Sequence, residues 1–223
     1  MNEEKIVIFV INNTGVWPSY FAMDLMNLYI RTLQEYPNAI VRTIETNSVE
    51  NMRNYACRFS MGLKAIQEGD TMERYDYLVQ LDVDHRYPTD FIIDLMKHKK
   101  DIVTGCTSRR NYPFGQTQFK KVQTNIKEES NVVNPNPEDP LIKIGASGPV
   151  GMLIKVDVLF KLKFPYYSRK YIGDENNVLA EMGSDVIFCE QLNEAGIDIW
   201  LDPAITFPHQ LKRGFVNRGQ LQF

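Results

Sequence analysis

The first 105 residues alternate short apolar runs with longer segments of helical periodicity, and this alternation constrains the fold more than any other feature. The run at residues 5–11, KIVIFVI, is almost continuously apolar, as is typical of a strand covered on both faces of a parallel sheet. Further strands are predicted at 39–44, 75–81 and 101–105, and helices at 19–35, 48–67 and 88–97. The alternating order indicates an α/β fold with a mostly parallel central sheet flanked by helices.

The second half of the chain has a less regular pattern. Residues 111–140 show no clear period and contain several prolines, which predicts a loop region that could act as a lid. The later elements are a Gly-rich segment at 145–151, a strand at 152–156, a helix at 184–195 that Gly196 stops, and strands at 197–201 and 204–207. No linker composition separates the two halves, so we predict one domain over 1–223.

Composition and charge limit the possible partners. The formal net charge of the 223 residues is −3, so there is no global basic field to hold a polyanion. Cys57, Cys106 and Cys189 have no C-x-x-C spacing, which favours reduced core thiols over a disulfide framework or a zinc site. The first residues lack a signal-peptide pattern, and no apolar stretch approaches the ~20 residues that span a bilayer. We therefore predict a cytoplasmic protein without a membrane span.

Two acids follow the strand predicted at 75–81. Asp82 and Asp84 flank Val83, and ligands of an α/β sheet bind beyond the carboxyl ends of its strands. Carboxylate oxygens at such a position suit Mn²⁺ or Mg²⁺ that carries a diphosphate. The same pattern also occurs in ordinary solvated turns, so the rest of the chain must decide. The adjoining His85 is expected to point away from Asp84.

The candidate metal pair is accompanied by other polar residues in a definite order. Arg53-Asn54 lies early in the helix before the Asp-x-Asp strand, Asp185 opens the last predicted helix, and His209 follows the last predicted strand. In order and spacing, the chain resembles the GT-A glycosyltransferases, which use nucleotide sugars. It is most similar to their small family-2-type viral and bacterial members, and the resemblance extends from Ile6 to His209.

This resemblance implies a GT-A fold, which is a Rossmann-like, mostly parallel sheet with a small additional antiparallel element. It also implies that the single domain has two functional halves. Residues 1–105 would form the nucleotide-binding half, and residues 106–223 would contact the acceptor and complete the metal site.

The roles of the acids and the histidine follow from the same resemblance. In such enzymes the first Asp of the motif usually contacts the ribose and the last binds the metal, which assigns Asp82 and Asp84. A histidine after the last strands often adds a metal ligand, which fits His209. The acid that opens the late helix often faces the acceptor, which makes Asp185 the candidate catalytic base. The usual pattern there is a pair of acids, whereas here a serine precedes Asp185 and Glu181 lies nearby.

The resemblance also implies residues that contact the donor. Those that would line the pocket for the base, ribose and sugar are Asn12, Asn13, Thr14, Arg53, Asn54, Val83, Gly148, Pro149 and Val150. Arg109 and Arg110, after the fourth strand, could contact the diphosphate or the acceptor.

The implied activity is metal-dependent transfer of a hexose from a nucleotide-diphosphate sugar, in the first instance a UDP-sugar. The acceptor is a hydroxyl of a saccharide, a small molecule, a protein or a modified nucleobase in DNA. The net charge does not favour DNA, although basic residues cluster near the end of the sequence at Lys212, Arg213 and Arg218.

Two other functions remain open from the sequence. One is a nucleotidyltransferase of related fold, and the other is a non-catalytic nucleotide- or saccharide-binding module. A nucleotidyltransferase would typically need a Gly-rich loop with a basic residue after the first strand. Residues 12–17, NNTGVW, contain no basic residue.

Overall fold

The structure, a computed structural model, describes residues 2–12, 15–44, 46, 48–63, 73–110, 115–122, 131–173, 180–211, 214–217 and 220–222. The strands are β1 (Ile6–Ile11), β2 (Ile40–Thr43), β3 (Tyr77–Asp82), β4 (Ile102–Thr107), β5 (Ile142–Ile144), β6 (Leu153–Lys155), β7 (Lys170–Ile172), β8 (Ala180–Met182), β9 (Ile199–Phe207), β10 (His209–Gln210), β11 (Phe215–Asn217) and β12 (Gln220–Gln222). The helices are α1 (Ser19–Glu35), α2 (Val49–Ser60), α3 (Phe91–Lys97), α4 (Val156–Leu159) and α5 (Ser184–Glu194).

Seven strands form the central sheet, in the order β2-β1-β3-β6-β4-β9-β5. Strand β1 pairs in parallel with β2 and β3, and β4 pairs in parallel with β9. Strand β6 runs antiparallel between β3 and β4, and β5 runs antiparallel at the edge beside β9. Smaller antiparallel sheets join β7 to β8 and β10 to β11 and β12. The predicted class, an α/β fold with a mostly parallel sheet, flanking helices and a small antiparallel element, is confirmed.

Both faces of the sheet are covered, which explains the continuous apolar run at the start of the chain. Val7 and Phe9 of β1 belong to the apolar cluster that includes residues of α2 and α5. Ile6 and Ile8 belong to the cluster on the other face, with residues of α1 and α3. All four side chains are fully buried, so neither face of the strand has a polar position.

Several predicted boundaries are wrong. Helix α3 begins at Phe91 and not at residue 88. The second helix ends at Ser60 and not near residue 67, because Gly62 adopts a φ of 72° and the N–H of Leu63 donates to the carbonyl of Arg58. These are the features of a Schellman motif, which terminates a helix. The late strands predicted at 197–201 and 204–207 are one strand, β9. A register shift against β4 accommodates Asp202 and Pro203 within it.

The described parts of the loop region, residues 115–122 and 131–140, contact the rest of the fold. Phe119 forms isolated bridges with Val132 and Ala146, and Gln118 is fully buried. A lid role for this region stays a prediction. Among the described helices, the structure has none with the length and apolar character that crossing a bilayer demands.

The strand directions bring the candidate residues to one edge of the sheet. Strands β1, β3, β4 and β9 all run the same way, so their carboxyl ends share an edge. Strand β2 lies on one side of β1 and β3 on the other, so the winding of the chain reverses there. Ligands of open α/β sheets bind in the crevice at such a reversal.

Candidate metal and nucleotide site

The turn that follows β3 is held by hydrogen bonds from distant parts of the chain. The hydroxyl of Tyr20 in α1 donates to the carbonyl of Val83, with an O···O distance of 3.2 Å. The backbone N–H of Gln210 donates to the carbonyl of Asp84, with an N···O distance of 2.8 Å. The Asp-x-Asp segment is therefore fixed in position by both α1 and β10.

Asp24 of α1 fixes the other side of this turn. Its carboxylate accepts hydrogen bonds from the guanidinium of Arg86, at 2.6 and 2.9 Å, and from the backbone N–H of Tyr87 at 3.1 Å. The Tyr87 hydroxyl in turn donates to the carbonyl of Asp82 at 2.9 Å. The first acid of the motif is thus tied to the same helix as the rest of the turn.

A short antiparallel contact places two histidines side by side. The N–H of Arg86 donates to the carbonyl of Pro208, and His85 bridges to His209. The two imidazole rings stack with their centroids 4.0 Å apart. The expectation that His85 points away from Asp84 is wrong, because its Nδ1 lies 2.8 Å from Asp84 Oδ1. A turn at residues 83–84 interrupts the alternation of side chains that an extended strand would impose.

Asp84, His85 and His209 form a compact set of metal-ligand atoms. His209 Nδ1 lies 2.9 Å from the carbonyl of Ser108, so in the tautomer that donates to this carbonyl, Nε2 carries the lone pair. That Nε2 lies 3.3 Å from Asp84 Oδ2. One ligand atom from each of the three residues lies within 4.8 Å of the others. Two imidazoles and a carboxylate fit a divalent cation, and they suit Mn²⁺ better than Mg²⁺, which prefers oxygen ligands.

The local electrostatics favour the ligand forms of these groups. Burial acts to raise the pKa of Asp84, but its contacts with His209 and His85 together outweigh this effect and hold the pKa well below its usual range. Burial lowers the pKa of His85 despite the neighbouring carboxylate. Near pH 7, Asp84 is therefore ionised and His85 is neutral, which are the states that metal binding requires.

Arg53 holds the first acid of the motif. Its guanidinium donates to both oxygens of Asp82 at 2.8 Å and to Oε1 of Gln80 at 2.9 Å. Burial alone would lower the pKa of Arg53, but Asp82, Tyr167 and Asp185 together outweigh this effect and the net shift is upward. Arg53 is buried, so it holds the Asp82 carboxylate from the interior of the fold.

Asn54 has a different environment from Arg53. Its Nδ2 donates to the carbonyl of Tyr167 at 2.7 Å, and its Oδ1 accepts from the N–H of the same residue at 3.0 Å. Asn54 is not among the described residues that line the cavities at the sheet edge. The structure therefore gives it a contact that holds the chain near Tyr167. Asn12 is buried after β1, and the predicted residues Asn13 and Thr14 lie outside the described residues, as do Lys212, Arg213 and Arg218.

Two adjoining cavities meet at the metal-ligand cluster. The β1 cavity, of about 610 Å³, is lined by Ile11, Val16, Pro18, Val49, Asp82, Val83, Asp84, Arg110 and Gln210. The α5 cavity, of about 560 Å³, shares Val49, Asp82, Asp84 and Arg110 with it. Other residues that line the α5 cavity include Arg53, Arg109, Gly148, Pro149, Val150, Asp185 and His209. Asp84 and Arg110 thus lie at the boundary between the two cavities.

Asp185 faces the α5 cavity from the start of α5. Its Oδ1 accepts a hydrogen bond from the N–H of Val186 at 3.0 Å. The preceding Gly183 permits this carboxylate position, because a Cβ at Gly183 would lie 2.6 Å from Asp185 Oδ1. The carboxylate of Glu181, by contrast, accepts from the guanidinium of Arg169 at 2.6 Å. Asp185 is therefore a better candidate base than Glu181.

Arginines provide the positive charge of the α5 cavity. Nη1 of Arg110 lies 3.2 Å from Asp84 Oδ2, and the guanidinium of Arg109 lies over the ring of Phe119 at 5.7 Å. Arg169 also lines this cavity, and it pairs with Glu50 at 2.7 Å. No sequence pattern predicts a role for Arg169, because Glu50 lies far from it along the chain.

Among the comparisons with known proteins, one solved structure supports the fold. No family model matches the chain, and no curated protein matches it. Among solved structures, A197 from STIV superposes with a TM-score of 0.60 at 15% identity, covering 98% of this chain and 94% of that one. The chain also aligns with 4-diphosphocytidyl-2C-methyl-D-erythritol synthase (TM-score 0.46, 9% identity, 100% and 94% coverage). A third alignment is with S. aureus TarS 1-349 in complex with UDP-GlcNAc (TM-score 0.42, 14% identity, 99% and 62% coverage). The likeness to A197 shows a shared α/β fold along nearly the whole chain.

Proposed function

We propose that the protein is a metal-dependent glycosyltransferase of the GT-A class, which transfers a sugar from a nucleotide-diphosphate sugar to a hydroxyl acceptor. The observation that carries the proposal is the contact between Asp84 and His209, whose side chains meet at 3.3 Å across 125 residues of sequence. An ordinary solvated turn does not require two imidazoles on one acid. The contact lies between two cavities at the edge where the parallel strands end, which is where open α/β sheets bind their ligands.

The cavities suit the parts of a nucleotide-sugar donor. The nucleoside would occupy the β1 cavity, beside the buried end of β1 and Val83. Asp82, oriented by Arg53, would bind the ribose, and the diphosphate would lie at the boundary formed by Asp84. The sugar would extend into the α5 cavity towards Gly148–Val150, where Gly148 has no side chain to exclude it. A UDP-sugar is the first donor to test.

The chemistry divides between the metal and the residues of the chain. A bound Mn²⁺ or Mg²⁺ would supply charge neutralisation for the departing nucleoside diphosphate. Asp84 and His209 would hold it, and His85 adds a third ligand atom or orients the carboxylate. Asp185 would deprotonate the acceptor hydroxyl from the side of the α5 cavity. Arg109 would add positive charge on the same side.

A thermal-shift experiment with UDP, GDP and TDP, each with and without Mn²⁺, tests the donor site. We expect a metal-dependent rise in Tm with at least one nucleotide and no such rise for Asp84→Asn. Asp198→Asn is the matched control, because this exposed acid pairs with Lys143 away from the cavities. The absence of any shift with the wild-type protein would contradict the proposal.

A turnover assay separates the competing activities. A glycosyltransferase releases UDP from a UDP-sugar in the presence of an acceptor, and Asp185→Asn should slow this about 10²- to 10⁴-fold. Unchanged turnover in that variant would remove Asp185 from the mechanism. A nucleotidyltransferase would instead release pyrophosphate from a nucleoside triphosphate and a sugar phosphate. A binding module would bind UDP and release no product.

A further inference from the structure

Arg110 contacts the same carboxylate oxygen that faces His209. Its Nη1 lies 3.2 Å from Asp84 Oδ2, and His209 Nε2 lies 3.3 Å from that oxygen. The Arg110 side chain is 61% exposed, whereas that of Asp84 is 31% exposed. The positively charged guanidinium of Arg110 therefore contacts the candidate metal ligand Asp84. Because the Arg110 side chain is largely exposed, few packing contacts hold it in place.

We propose that Arg110 exchanges partners, pairing with Asp84 when the metal site is empty and with the donor diphosphate once a divalent cation binds. The inference rests on the proposed function. A cation held by Asp84, His85 and His209 would lie close to the guanidinium, and the two positive charges would repel each other. Metal binding therefore releases Arg110 from Asp84.

The location of Arg110 identifies its second partner. It lines both the β1 cavity and the α5 cavity, at the boundary where the diphosphate of a bound donor would lie. A guanidinium matches phosphate oxygens with paired N–H donors, so the released side chain has a suitable ligand nearby. The exchange would impose an order of binding, in which the metal binds first and the diphosphate second.

The other arginines of the α5 cavity have contacts with groups outside the cluster of Asp84, His85 and His209. These are Arg53 with Asp82, Arg109 with Phe119, and Arg169 with Glu50 and Glu181. Arg109 is the matched control for Arg110, because it is the preceding residue in the sequence and lines the same cavity. Arg109→Ala removes a positive charge of equal size and leaves the contact between Arg110 and Asp84 in place.

The exchange predicts opposite effects of one substitution on two ligands. In Arg110→Ala the metal loses a competitor, so Mn²⁺ alone should bind more tightly, about three- to tenfold in Kd. At saturating Mn²⁺ the diphosphate loses a charged donor, so UDP should bind about tenfold more weakly. An arginine with only a structural role would not move the two affinities in opposite directions.

Calorimetric titrations test this with Mn²⁺ alone and then with UDP at saturating Mn²⁺, on the wild-type protein, Arg110→Ala, Arg109→Ala and Asp84→Asn. Tighter Mn²⁺ binding with weaker UDP binding, in Arg110→Ala and not in Arg109→Ala, supports the exchange. Unchanged or weaker Mn²⁺ binding in Arg110→Ala overturns the competition at Asp84. Tighter Mn²⁺ binding with unchanged UDP affinity would show that Arg110 does not pair with the diphosphate after its release from Asp84, and would overturn that part of the proposal. Mn²⁺ binding that survives Asp84→Asn would instead contradict the metal site of the proposed function.

Discussion

The imidazole rings of His85 and His209 stack at 4.0 Å, and each ring approaches a different oxygen of Asp84. Two imidazole nitrogens thus converge on one carboxylate, and the two rings come from parts of the chain that are far apart in sequence. Their nearness depends on the backbone contact of Arg86 with Pro208, which fixes which residues face each other.

Removal of either histidine should weaken metal binding. We expect His209→Ala and His85→Ala to raise the Kd for Mn²⁺ about 10- to 100-fold each, as measured by calorimetry without nucleotide. The control is His98→Ala, which removes the third histidine of the chain, one that contacts Asp202 at 2.7 Å. Wild-type affinity in His209→Ala would exclude this residue as a ligand.

Asn54→Ala should destabilise the fold. The substitution leaves both the N–H and the carbonyl of Tyr167 without their buried partner, which should lower the free energy of unfolding by about 2–4 kcal/mol in urea titrations. The control Asn38→Ala removes a longer, exposed hydrogen bond to the carbonyl of Glu3. It should change the free energy of unfolding by less than about 0.5 kcal/mol. If Asn54→Ala keeps its stability and loses UDP binding, its role is in the donor site instead.

A methyl group should be tolerated at Gly148 and not at Gly151. Gly151 has a φ of 63°, and a Cβ there would lie 2.4 Å from the ring of Phe207. Gly151→Ala should therefore lower the free energy of unfolding by about 1–3 kcal/mol or more. At Gly148 the nearest atom to such a Cβ is Thr117 Oγ1 at 3.9 Å, so Gly148→Ala should fold with near wild-type stability. Equal Tm values for the two variants would contradict this.

The cysteines should be unreactive in the native protein at pH 8. Cys57, Cys106 and Cys189 are all buried and form no disulfide, and burial raises the pKa of Cys189 to about 12. A thiol reagent should label none of them in minutes and all three in guanidinium chloride. Rapid labelling of one cysteine in the native protein would show that its surroundings open readily.

The raised pKa of Cys189 also predicts that the protein loses stability at alkaline pH. The folded pKa of Cys189 lies above the ordinary thiol value of 9.0, so the folded state retains a proton that the unfolded state loses. The resulting stabilisation is fully present below about pH 9 and disappears as the pH rises towards 12. In Cys189→Ala, the fall in Tm between pH 8 and pH 10 should be smaller than in the wild-type protein.

Local periodicity predicted much of the fold. Helix α1 begins and ends at the predicted residues, because Phe21, Leu25 and Leu28 bury one face of a continuous helical pattern. The direction of β6 was not predictable. Leu153 and Ile154 are as apolar as residues of the parallel strands, and only the neighbours in the sheet determine which way the strand runs.

The candidate site was less accessible from sequence alone. The order of acids and histidine indicated that Asp84 and His209 belong together, but the turn after β3 rotates His85 onto Asp84 in a way that no local pattern encodes. Asn54 follows Arg53 directly, yet the helix directs the two side chains to different partners. Such differences depend on which helix face meets the sheet edge.

The separation of 125 residues between Asp84 and His209 also has a kinetic consequence. Contacts between residues so far apart require closure of a long chain segment, and such contacts form slowly. The candidate metal ligands would therefore assemble only after most of the sheet has formed. In a refolding experiment started by dilution from denaturant, the onset of Mn²⁺ binding would mark the completion of the native topology.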